Sequence, residues 1–433
     1  MFDLVTERDA AGDASRPRVR ALFVGHAGSP TGFARVLHSV LGRLPDRYDV
    51  HHLGINFHGA APPCGWTVHA NPRSRERYAE SELDTLIDTL SPDLVFLLDE
   101  IHVAARLEPL WQKCRDAGVA TILYAAIDGR LPLSPDDVQA LTGLDSIVAF
   151  TRFGRDALLD AAAQADAAGS RLPPIAIVPL GVDASMFHPL ARPAAATDSW
   201  APDPIDPEVI ASRLRSRRLL FPERCDLDRA FIVLNANRNQ PFKRIDITLR
   251  GFALFARDKP PDVKLYLHMG TATPVQGTTP LADALGIRDR VLVTAVAPRH
   301  PDVSSDRLNV IYNACDVGLN TSEGEGWGLV SFEHAATGAA QIVPRHTACG
   351  ELWKDAALLV DPALDDRVDD YQRAGCTVTP ECVADALERI YRNSGLRRTL
   401  SIAAYRNAMR DDVQWDAIAR IWDRRFRMLL KTG

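Results

Sequence analysis

The chain has no apolar run approaching the roughly 18 residues of a membrane span, so it is not expected to cross a bilayer. Its N-terminus has no apolar signal-peptide stretch, and peripheral membrane contact stays open to it. Seven scattered cysteines, an odd number with no C-x-x-C pair, argue against a disulfide scaffold and fit a reduced, cytoplasmic setting. Twelve histidines show no H-x-x-x-H or comparable ligand spacing, so no metal is expected from them. The net charge of -6 lacks the positive excess of a general nucleic-acid binder. No G-x-G-x-x-G follows the first strand, which disfavours a nicotinamide cofactor.

What is present is the composition of a globular protein, 46% apolar and 24% charged, over 433 residues, enough for two domains with a core each. Short apolar runs alternate with helical patterns: VRALFVG from Val19, YDVHHLGI from Tyr48, DLVFLLD from Asp93, ATILYAAID from Ala120 and Ser146 to Phe150. A second series runs through AFIVLNA from Ala230, VKLYLHM from Val263 and RVLVTA from Arg290. Strands separated by helices predict parallel sheets, and the fold class is α/β with two doubly wound, Rossmann-like domains.

The stretch Asp316 to Pro344 reads strand, glycine-rich loop, helix, strand. Leu329, Phe332, Ala336 and Ala339 recur at helical spacing, and Glu325 and Glu333 lie on either side of the helix start. With the helix beginning near Gly328, Glu333 lies about 7 to 8 Å along its axis. The amides of Gly328, Leu329 and Val330 then fall between the carboxylates, where a helix N-terminus suits a phosphate. Gly324, Gly326 and Gly328 let the backbone approach a ligand closely. A ligand with a charged middle and hydroxyl-rich ends fits, as a nucleotide diphospho-sugar does. Arg238 and Lys243, five apart in NRNQPFKR, can straddle a diphosphate from a loop and a helix start. Two cations there oppose the helix dipole unless an anion joins them.

E-x7-E within EGEGWGLVSFEHAATG resembles the signature of the retaining glycosyltransferases of family 4, which have the GT-B fold. The resemblance runs from Val19 to the last helix and is most specific between Asn235 and Pro344. It implies that Glu333 holds the donor ribose, that Glu325 contacts the transferred sugar and that Arg238 and Lys243 neutralise the leaving diphosphate. Gly326, Trp327, Gly328, Leu329 and Val330 become donor-binding residues, and Val293 to Ala295 would face the nucleobase. Gly28, Thr31 and Gly32 resemble the family's small-residue loop near the donor, and equally suit an ordinary strand-to-helix turn. Asp128, in IDGRLP, is a catalytic or acceptor-site candidate against a plain turn or cap; Ile127 stands where many members carry His. IAIVPLGVDASMFHP, from Ile175 to Pro189, resembles a segment that closes the first domain, with Phe187 and Pro189 in packing and Gly181 and Asp183 in a tight turn.

The expected domains are a loose tail over 1–18, an acceptor-side domain over 19–189, a linker or insertion over 190–229 and a donor-side domain over 230–400. A C-terminal helix over 401–433 returns to the first domain, with Trp415, Ile418, Trp422 and Phe426 in the core. The run Arg213 to Arg218 reads as a solvated basic helix face, and Asp226-Leu-Asp228 as a surface loop without metal. The expectation is a retaining transferase that moves a sugar from a nucleotide diphospho-sugar to an acceptor, without cofactor or metal. A non-catalytic nucleotide-sugar-binding subunit and a nucleotide-sugar epimerase stand as alternatives. Acceptor choice is expected in first-domain loops such as Asn56 to Arg77.

Overall fold

The computed structural model describes residues 18–432 apart from 29–30, 56, 60–63, 74, 130, 166–170, 194–195, 198, 272–276, 296–299 and 369–373. Residues 1–17 of the expected tail and part of the loop 56–77 fall outside these residues. Seven strands form the first sheet: β1 (Val19–His26), β2 (Tyr48–Ile55), β3 (Thr67–Ala70), β4 (Leu94–Asp99), β5 (Ala120–Ala125), β6 (Ser146–Ala149) and β7 (Ile175–Ile177). Their order is β3-β2-β1-β4-β5-β6-β7, all parallel. The second sheet holds β8 (Phe231–Asn235), β9 (Val263–Leu267), β10 (Val291–Val293), β11 (Val317–Leu319), β12 (Ala340–Pro344) and β13 (Leu358–Val360), in parallel order β10-β9-β8-β11-β12-β13. An antiparallel hairpin of β14 (Ala363–Val368) and β15 (Ala374–Thr377), absent from the sequence reading, follows.

Central strands are apolar on both faces because helices cover both: β4 is buried along its whole length. The strand order reverses direction at β1/β4 and again at β8/β11, and at such a switch point the carboxyl ends of the strands leave a crevice for ligands. Both crevices contribute to one cavity, so the expected pair of Rossmann-like domains is what the chain forms.

The basic run forms a solvated face only in part, with Arg215 and Arg218 exposed. The helix Pro207–Leu220 turns Arg213 and Arg217 inward, where they hold the two oxygens of Asp316 at 3.1 and 2.7 Å. Arg217 is 4% exposed, and Asp316 also accepts from the Ile232 amide at 2.7 Å. A carboxylate buried at the start of β11 needs its charge compensated, and the insertion supplies both guanidinium groups. Asp226 and Asp228 pair with Arg224 and Arg218 at the surface.

The single helix expected over 401–433 is two, Ser394–Ala408 and Trp415–Thr432, with a short 3-10 turn Asp411–Val413 between them. The last helix packs on the first sheet, with the Trp422 ring 4.8 Å from Phe96 and 4.7 Å from Tyr124, and with Asp423 accepting from the Tyr48 hydroxyl at 2.8 Å. Gly181 makes room for this crossing: a Cβ there would stand 2.7 Å from the Trp415 ring. Phe187 is core, and its ring meets Tyr312 of the second domain at 5.5 Å.

Candidate active site

The expected site residues line one cavity of about 370 Å³ between the two domains, apart from Glu333, Gly28 and Val293 to Ala295. On the second-domain side, β8 ends at Asn235 and the chain turns through Arg238 into the 3-10 turn Pro241–Lys243. Lys243 is 8% exposed, and its Nζ lies 2.6 Å from Glu325 Oε1 and over the Phe242 ring. The same oxygen accepts from Ser322 Oγ at 2.9 Å and Asn320 Nδ2 at 3.1 Å. Burial alone would raise the Glu325 carboxyl, but the adjacent Lys243 charge and these three donors bring it below its ordinary value. Glu325 Oε2 has no donor among the described residues, and an ammonium has three protons of which Glu325 takes one. Arg238 is exposed to the cavity and has no ion-pair partner among the described residues.

Two glycines of the loop answer to the opposite domain. A Cβ on Gly324 would stand 1.9 Å from the Asp128 carbonyl oxygen, and one on Gly326 3.0 Å from that of Ile127. Backbone therefore meets backbone across the cleft, and only glycine permits it. Gly328 serves a different purpose: at φ +90 it caps the helix Leu329–Ala335 in the left-handed region, with open space where a Cβ would be. Trp327 stacks on Phe332 with centroids 5.0 Å apart, which fixes the loop over the helix start. Gly328, Leu329 and Val330, whose amides open the helix, lie on the cavity wall.

Glu333 lies behind that wall and is 1% exposed. Oε1 accepts from the Arg35 guanidinium, which comes from the first domain, and Oε2 accepts from the Tyr312 hydroxyl at 2.9 Å. Arg35 and Tyr312 are themselves on the cavity wall. Thr31 caps the helix Gly32–Leu41, accepting from the Ala34 amide at 3.2 Å, and its hydroxyl is 3.1 Å from His26 Nδ1. Gly32 faces Leu329, whereas Gly28 faces the Phe57 ring and is not on the wall. Asp128 is partly buried on the wall, beneath the glycine loop.

Several wall residues carried no sequence signal. Asp99 ends β4, is 5% exposed, and burial pushes its carboxyl up to about 6 although the Glu100 amide donates to it at 2.8 Å. A charged residue closing an otherwise apolar parallel strand was the available clue, since ligands collect at that end. Arg77, Glu100 and His102 stand beside it. His268 and His300 meet edge to face at 4.8 Å, and burial first of all lowers them to about 3 and about 4. Val293 to Ala295 is not on the wall; Thr294 instead accepts or donates at 2.7 Å to His268 Nδ1, and His268 is. Among the described residues no group of three or more His, Cys, Asp or Glu is placed to hold a metal ion, and no helix is long and apolar enough to cross a membrane.

No family model matches the chain. It is 30% identical over 207 residues to the D-inositol 3-phosphate glycosyltransferase of Xylanimonas cellulosilytica, covering 47% of this chain and 41% of that protein. With the enzyme of the same name from Salinispora arenicola it shares 27% over 286 residues, 64% of this chain and 53% of that one. The chain thus spans about half the length of the curated relatives it matches. Among solved structures, Anabaena Alr3699/HepE in complex with UDP and glucose superposes with TM-score 0.66 at 15% identity, covering 95% of this chain and all (100%) of that one. Sucrose-phosphate synthase from Thermosynechococcus elongatus superposes with TM-score 0.67 at 16% identity, over 96% and 100%. These likenesses establish the fold as GT-B.

Proposed function

We propose that this chain is a glycosyltransferase that moves a sugar from a nucleotide diphospho-sugar to an acceptor with retention of configuration and without a metal. The observation that carries the reading is the placement of Arg238 and Lys243 on one cavity wall with the amides that open the helix Leu329–Ala335. Such a constellation stabilises negative charge as it grows on a departing diphosphate, the role a metal ion has elsewhere. The names of the curated relatives and the UDP held by a structural neighbour support it.

Glu325 would take a sugar hydroxyl on Oε2 while Lys243, Ser322 and Asn320 fix its other oxygen. Asp99 and Asp128, on the first-domain wall, would receive acceptor hydroxyls. The acceptor then loses its proton to the leaving phosphate oxygen on the face from which the bond breaks. No side-chain nucleophile is needed in that step. Glu333 would reach a donor hydroxyl from behind the wall. Cys64, Cys114, Cys225, Cys315, Cys349 and Cys382 are free thiols, which supports a reducing, cytoplasmic setting.

The test is mass-spectrometric detection of nucleoside diphosphate release from UDP-, GDP-, ADP- and TDP-sugars, with cell extract as acceptor source, with and without EDTA. Release from one donor, insensitive to EDTA and yielding a product of unchanged anomeric configuration, is the expected result. A donor that binds and is never cleaved would make the chain a binding subunit, and an altered sugar nucleotide without transfer would make it an epimerase.

A further inference from the structure

The Arg35 to Glu333 pair joins the two domains through the cavity wall, and the two ends differ sharply in exposure. The Glu333 side chain is 2% exposed and that of Arg35 is 32% exposed. Arg35 stands in the first turn of Gly32–Leu41, so the helix that fixes it belongs to the first domain. Its guanidinium lies 5.6 Å over the Phe187 ring, which in turn packs on Tyr312, the second partner of Glu333. A planar cation held on an aromatic shelf, with one carboxylate behind it and the cavity in front, can serve both sides at once, because guanidinium carries five N–H donors in a fork. Its charge also reaches the two histidines across the wall: beyond burial and their nearer neighbours, Arg35 helps keep His268 and His300 neutral.

We propose that Arg35 is a donor-positioning residue supplied by the opposite domain, sharing its guanidinium between Glu333 and the diphosphate of the ligand. The inference rests on the nucleotide-sugar reading above. It adds a third cation to the diphosphate site and makes phosphate binding tie the first domain to the second. Glu333 holds the fork on the wall, and Tyr312 keeps the carboxylate in place when the guanidinium leans toward the phosphate.

The test compares affinity for a nucleoside diphosphate with affinity for its parent nucleoside, using calorimetry and UDP, GDP, ADP and TDP as probes. The readout is the ratio of the two affinities. Arg35→Met keeps the aliphatic stem and removes the charge, and the ratio is expected to fall about tenfold. Arg35→Lys should keep most of it. Arg35→Met also strands a buried carboxylate, so the same change is made in Glu333→Gln, where that charge is gone; the ratio should again fall about tenfold from Glu333→Gln to the double variant. Equal losses for diphosphate and nucleoside would mean a structural role and overturn the proposal. An unchanged ratio would overturn it while leaving the functional reading intact, whereas a wild-type chain that binds none of the diphosphates would overturn both.

Discussion

At the scale of single residues, the site is a problem of where charge is held. Lys243 is buried against Glu325, and the pair is tolerated because two neutral donors complete the carboxylate and the ammonium keeps protons for a ligand. On the proposed function, Lys243→Ala should lower turnover of the cleaved donor by roughly tenfold or more, since it would remove a charge aimed at the leaving group and leaves Glu325 uncompensated. Steady-state kinetics checks this, and near-normal turnover would remove Lys243 from the diphosphate site. The cations and Glu325 were legible in the sequence because their spacing is local. Asp99 was not, because its significance depends on the end of β4 opening into the same cavity as Lys243, more than a hundred residues away.

At the scale of elements, the loop Glu323 to Gly328 is shaped by the strand-to-loop junction it presses on. Its glycine pattern suggested close approach to a ligand; the contact with the Ile127 and Asp128 carbonyl groups shows that two of the three glycines serve approach to another backbone. Gly324→Ala places a methyl group on a carbonyl oxygen and must move either loop. It should lower transfer by tenfold or more, as Glu325 is displaced with its neighbour, while changing the melting temperature by only a few degrees. Turnover and calorimetry together test this; full activity would mean that the cleft opens freely at this point. The helix Pro207–Leu220 teaches a similar lesson. Its run of arginines gave no sign of which ones face Asp316, because a helix face acquires its partner only on packing.

For the whole molecule, three buried histidines and two partly buried ones set the response to acid. Burial lowers His52, His268 and His334 to about 3 and His300 and His346 to about 4, from an ordinary value of 6.5. Below pH 6.5 the unfolded chain takes up protons that the folded one refuses, so their contribution to stability is full above that pH and is lost as pH falls toward 4. Asp99 acts in the opposite sense between about 6 and its ordinary 3.8, as does His102, which its hydrogen bond to Glu100 raises; the five lowered histidines outnumber them. The melting temperature should therefore drop by several degrees between pH 7.5 and pH 5, on the order of a few kcal/mol of stability. Scanning calorimetry decides, and a flat or rising profile would mean that these rings are not buried neutral in solution. The same scale holds the domains together: the last helix lies on the first sheet, Glu351 accepts from the Phe153 amide at 2.9 Å, and Arg35 meets Glu333.

The sequence by itself determined two alternating series of strands and helices, the glycine loop at a helix start and the closeness of Arg238 to Lys243, because each follows from periodicity or spacing within a few dozen residues. The tertiary structure alone decided that Glu333 is held by Arg35 from the opposite domain, that Gly324 and Gly326 pack on Asp128 and Ile127, and that Asp99, His268 and His300 share their cavity. Each of those contacts joins residues far apart in the chain. Only the docking of two sheets across one cleft brings such residues within a hydrogen bond or a van der Waals contact of each other.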